Sequence, residues 1–146
     1  MAHLFEVRRI IETQAACLAA ERRTEADLKR LRELNREYEA NLSNDDIAFD
    51  ANMRFHLAIV ETAKNPILTD ILGPLLTATV EVYAKARQSS LSKTTNLNRF
   101  VAEHEQIIKA IAQQDTELAT KLSTNHIDQA QKRVGEIIAN ELKKGI

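Results

Sequence analysis

Three histidines, His56, His104 and His126, stand at helical positions where the period asks for an apolar residue. The first closes Asn52-Met53-Arg54-Phe55-His56, the second opens His104-Glu105-Gln106-Ile107-Ile108, and the third sits in Asn125-His126-Ile127. A neutral imidazole offers one in-plane lone pair, so several converging inside a bundle suit a divalent transition metal. One such histidine is most often a hydrogen-bonded core residue. Three on three separate helices are a different matter, because a buried cluster able to gain several positive charges is costly without a metal or a carboxylate. Asn52 lies one turn before His56 and projects to the same side. His3 sits in an unpatterned N-terminus and plays no part in this reading.

Six helical segments must position these residues, marked by apolar period and by caps. The first runs from Leu4 to Arg23 with Leu4, Val7, Ile11, Ala15 and Leu18 on one stripe. Thr24 with Asp27 begins the second, whose thin seam of Leu28, Leu31, Leu34 and Tyr38 predicts an outer position. Ser43-Asn44-Asp45 opens the third, where Phe49, Met53, His56, Val60 and Ala63 share a face. Asn65-Pro66 starts the fourth, which continues toward Arg87 and is expected to bend or break at Gly73-Pro74. Ser89 to Thr95 reads as a loop. The fifth groups Phe100, His104, Ile107, Ile108 and Ile111, and Asp115 caps a sixth with Leu118, Leu122, His126, Ala130, Val134 and Ile138 inward. The fold class is all-α, an antiparallel helical bundle of six to seven helices with an internal metal or effector pocket.

Composition agrees. In 146 residues only 3 Gly and 2 Pro interrupt a chain rich in helix formers, and Trp is absent. The length suits one domain spanning 1–146. A formal charge of −1 argues against a nucleic-acid surface. The lone Cys17, among alanines and leucine, reads as a small core residue in a reducing, cytoplasmic compartment. No apolar run is long enough to cross a bilayer, and no membrane partner is expected. The mixed-sign runs Glu21-Arg22-Arg23 and Lys29-Arg30-Leu31-Arg32-Glu33 read as solvated faces.

Two arginines fall near the inner stripes. Arg8 shares that of Leu4, Ile11 and Ala15, where a guanidinium needs an anionic partner: a ligand, or Glu12 one turn on. Arg87 continues the inner stripe of the fourth helix and is a weaker candidate, since a helix end is readily solvated.

The segment Leu4-Phe5-Glu6-Val7-Arg8-Arg9-Ile10-Ile11-Glu12 with Leu18-Ala19-Ala20, then Phe55-His56 with Asn65-Pro66, then His104, Ala110-Ile111, Asp115 and His126, resembles the FCD domain. That is the C-terminal effector-binding and dimerisation domain of the FadR-type branch of GntR transcription regulators. The resemblance implies a divalent ion, zinc, nickel or manganese, held by Asn52, His56, His104 and His126. It also implies an organic-acid or sugar-acid effector met by Arg8, with Arg87 second, and a homodimer. The position four residues before the first histidine is Asp in metal-binding members and Asn52 here; a neutral amide is the weaker ligand. DNA would be read only through a winged helix-turn-helix domain, for which this chain has no segment. Leu75, Leu76 and Val80 on the fourth helix are the expected exposed contributors to the dimer.

Two other readings compete. A structural dimerisation module would use the histidines as core residues. A metal-dependent hydrolase would need a general base, and Glu103 and Glu105 are expected on faces away from the inner stripes.

Overall fold

A computed structural model describes residues 2–87 and 97–144. They form six helices: α1 (Ala2–Arg22), α2 (Glu25–Ala40), α3 (Asp45–Thr62), α4 (Pro66–Arg87), α5 (Leu97–Ala112) and α6 (Thr116–Lys144). No strand occurs among the described residues, so the architecture is the all-α bundle expected from the periodicity. The polar stretch Ser89–Thr95 lies outside the described residues.

Local chemistry sets the helix starts. Thr24 and Asp27 close a reciprocal capping box at the head of α2: Asp27 donates its N–H to Thr24 Oγ1, and Thr24 donates its own to the Asp27 carboxylate. Asn44, Asn65 and Asp115 each accept from a backbone N–H at the start of α3, α4 and α6. Two links share a backbone device. Lys64 after α3 and Gln114 after α5 both take φ 55°, the left-handed conformation that turns a chain out of a helix.

Three short links fold neighbours back on each other, so α2 with α3, α3 with α4, and α5 with α6 form antiparallel pairs. The first link does something else. Helices α1 and α2, joined by Arg23 and Thr24, do not pack together; α1 lies against α3, α4, α5 and α6, and α2 against α3 and α5. Small residues permit this central position, since Ala15, Ala16, Ala19 and Ala20 are all fully buried. The largest apolar cluster joins Ala16, Ala19 and Ala20 to Leu28, Leu31, Phe55, Ile107 and Ile111. A second, around Met53, Val60, Leu72 and Leu76, seats α4 on α3.

Four expectations need correction. The inner face of α1 is Phe5, Arg8, Glu12, Ala15, Ala16 and Ala19, whereas Val7 is 40% exposed. The apolar period there was misleading because an arginine and a glutamate occupy the buried side. Helix α4 runs through Gly73-Pro74 without a break. Pro74 and Asp70 both lie on the exposed side, so the carbonyl left without a donor faces water. Leu118 is 38% exposed and not part of the inner stripe of α6. Leu76 is buried and packs with Leu75 and Val80 in the second cluster, so the outward apolar residues of α4 are Ile67 and Ile71 instead.

Phe55 ties the core to the polar centre, being fully buried and stacked on His104 with ring centroids 4.0 Å apart. Phe55→Ala is expected to cost about 3–5 kcal/mol of folding stability. A urea unfolding curve checks it, and a loss below about 1 kcal/mol would contradict the packing described.

Candidate metal centre and adjoining cavity

The three histidines arrive from different helices, His56 from α3, His104 from α5 and His126 from α6, and all three are buried. Each has its Nδ1 taken by an acceptor. His56 Nδ1 donates to Glu12 Oε2 at 2.5 Å, His104 Nδ1 to Asn35 Oδ1 at 2.9 Å, and His126 Nδ1 to Glu103 Oε2 at 2.7 Å. The orientation of Asn35 is itself fixed, because its Nδ2 donates to the Val101 carbonyl. A proton on every Nδ1 leaves every Nε2 with a lone pair. Those Nε2 atoms then meet: His104 to His126 at 3.2 Å and His126 to His56 at 3.3 Å, with all three within 4.8 Å of one another.

Facing lone pairs repel, and a dry interior screens them poorly. An arrangement of imidazole Nε2 atoms oriented by outer carboxylate and amide acceptors could hold a divalent cation. The chemistry of Asn52 fits as well. It lies one turn before His56, lines the same cavity, and its Oδ1 is buried with no hydrogen-bond partner.

Buried charge is arranged around this centre. Arg8 and Glu12, both on α1, pair at 2.7 Å with almost no exposure on either side chain. Burial pushes the Glu12 carboxyl up, but the Arg8 guanidinium and His56 outweigh it and hold it down to about 2. His56 is lowered by burial, with Glu12 opposing and Arg8 and His126 adding to the fall. His104 is pushed well below the ordinary histidine range by burial, reinforced by the other two imidazoles.

Beside the cluster lies a small cavity of about 50 Å³, bounded among others by Phe5, Arg8, Tyr38, Asn52, Thr79 and Arg133.

Comparison with known proteins gives these features a family. The FCD domain model matches residues 3–129. The chain belongs to the FCD family. Among its relatives, the HTH-type transcriptional regulator LutR of Bacillus subtilis is 34% identical over 110 residues, which cover 75% of this chain and 50% of that protein. The galactonate operon transcriptional repressor of Escherichia coli is 26% identical over 132 residues, 90% of this chain and 56% of that one. The chain thus spans about half the length of these relatives. Among solved structures, E. coli McbR/YncC superposes with a TM-score of 0.82 at 20% identity, over 92% of this chain and 64% of that one. Lar, which controls the agr system of Listeria monocytogenes, gives 0.75 at 21% identity, over 92% and 62%. These two show the shared fold.

Within the FCD domain, then, the three histidines named from sequence converge, and Asn52 and Arg8 border the cavity next to them. Arg8 also makes the ion pair with Glu12 that its spacing allowed. Arg87 ends α4, and its side chain lies outside the described residues. The expectation that no carboxylate shares the inner faces is overturned by Glu12 and Glu103, which hold His56 and His126. This does not revive the hydrolase, since the relatives are transcriptional regulators. Sequence reasoning missed Asn35 and Arg133 altogether. The signals were available: Asn35 falls between Leu31 and Tyr38 on the apolar seam of α2, and Arg133 is two turns from His126.

Two predictions follow from the buried charges. Glu12→Gln strands Arg8 and is expected to cost about 3–5 kcal/mol in urea unfolding; a loss under about 1 kcal/mol would show that the pair is not a buried one. The second concerns acid. Burial holds His56 and His104 below the ordinary histidine value of 6.5 in the folded protein, so below 6.5 the unfolded chain binds more protons. The metal-free protein should therefore lose stability as pH drops below about 6.5. A second loss should follow as pH falls from 4.5 toward about 2, through Glu12. Unfolding curves across that range test the sign, and a stability that rises on acidification would contradict it.

Proposed function

We propose that this chain is the effector-sensing domain of a dimeric GntR-type transcriptional regulator, which binds a small carboxylate metabolite next to a divalent transition metal. The observation that carries the reading is the convergence of three Nε2 atoms, each with its Nδ1 already engaged, beside a cavity bordered by unpaired Asn52 Oδ1. His56, His104 and His126 would hold the ion with Asn52, and zinc, nickel or manganese suits imidazole ligands. A bound ion supplies a positively charged attachment point for effector oxygens.

The residues of the chain do the rest. Glu12, Asn35 and Glu103 fix the imidazoles in one tautomer and one orientation, and Tyr38 and Phe55 pack against His104. With Asn52 in place of a carboxylate, all direct ligands are neutral, so an anionic effector completes the charge balance and its binding is coupled to that of the metal. Regulators of this relationship support an acid as the effector class, since one relative is by name a galactonate operon repressor. DNA reading belongs to a winged-helix domain of the whole protein, and helix displacement at the cavity is the signal passed to it. A metal-free module with core histidines is the second reading, and it predicts that metal addition leaves the melting temperature unchanged.

Metal content and affinity separate the two. His104→Ala and His126→Ala should each abolish binding of Zn²⁺, Ni²⁺ or Mn²⁺ while keeping the helical circular-dichroism spectrum. Glu103→Ala should weaken binding about 10–100-fold by freeing the His126 ring. Asn52→Asp should tighten it, and an unchanged affinity would remove Asn52 from the ligand set. Wild-type protein that takes up none of the three ions refutes the metal reading.

A further inference from the structure

Arg133 sits on α6, two turns beyond His126, and borders the same cavity as Asn52 and His56. Its guanidinium lies over the Phe100 ring at 5.6 Å, and Phe100 in turn meets His126 edge-on at 5.2 Å. This leaves the charged group next to the histidine cluster but separated from it by a phenyl ring. Arg133 Nε and Nη1 are both buried and hydrogen-bonded to nothing.

That state is costly for a group that cannot shed its proton. Among the described residues the cavity lining offers no relief, for it includes two arginines and neither an aspartate nor a glutamate. The two arginines are not equivalent. Arg8 gives its Nε to Glu12 at 2.7 Å, so its charge is already matched, whereas Arg133 faces the cavity lining without an acid. An anionic oxygen entering the cavity would answer both buried nitrogens of Arg133 at once.

Resting on the sensory reading above, we propose that Arg133 is the carboxylate anchor of this cavity and that Arg8 is held back by Glu12. The ligand class narrows accordingly. One carboxylate is met by Arg133, and a second oxygen-bearing end, a hydroxyl or another carboxylate, reaches past Phe100 toward Asn52 and the histidines. Hydroxy acids, sugar acids and dicarboxylates carry both functions.

Isothermal titration of the full chain, with and without zinc, tests this with galactonate, succinate and lactate, and with galactose as the uncharged control. The wild-type protein should bind at least one of the three acids, and galactose not at all. Arg133→Gln should weaken the acid about 10–100-fold, Arg133→Lys should recover part of that loss, and zinc affinity should be unchanged in both, which shows that the bundle is intact. Acid affinity unchanged in Arg133→Gln overturns this assignment alone. An Arg133→Gln protein that has also lost zinc binding points to a structural role and overturns it too. A wild-type protein that binds none of the three acids overturns the sensory reading and the assignment with it.

Discussion

Three imidazole Nδ1 protons are spoken for, and that constraint organises the molecule. Glu12 from α1, Asn35 from α2 and Glu103 from α5 each accept one. Once they do, the opposite nitrogens have no proton and no protein donor, and that of His126 stands 3.2 Å from His104 and 3.3 Å from His56. A tautomer choice made at the outside of the cluster is thus converted into a cation-seeking interior. The helices cannot relax it cheaply, because Phe55 stacks on His104 and the surrounding core is fully buried.

The central place of α1 follows from the same chemistry. It is a helix whose buried side carries Arg8 and Glu12 among alanines, and it serves both the packing and the polar centre. Glu12 joins an ion pair within its own helix to a hydrogen bond across to α3, so one carboxylate links the cavity arginine with a cluster histidine. A ligand that disturbs Arg8 would therefore be felt at His56.

Much of the architecture was legible from residue order. Capping residues such as Thr24, Asn44, Asn65 and Asp115 placed four helix starts, because a cap acts through atoms within three residues of itself. The histidines were legible because a polar ring on an apolar stripe is an anomaly at helical spacing. What was not legible was the partner of each ring. Asn35 lies 69 positions from His104 and Glu12 lies 44 from His56, distances over which only the packed fold decides who meets whom. The face of α1 was misread for a related reason. Apolar period assumes that buried means apolar, and a mutually neutralised Arg8–Glu12 pair breaks that assumption. Pro74 failed as a helix breaker since the Asp70 carbonyl that it leaves without a donor lies on the exposed side. Arg133 went unnoticed because a guanidinium on a helix is usually solvated, and only the lining of the cavity reveals that its nitrogens are enclosed.

The tautomer state is directly observable. Long-range ¹H–¹⁵N correlation spectra of the zinc-loaded protein report which nitrogen of each imidazole carries the proton. The account predicts that His56, His104 and His126 all hold it on Nδ1, with three Nε2 signals that move together as zinc is added. A proton found on Nε2 of any of the three in the loaded protein, or Nε2 signals indifferent to zinc, would contradict it.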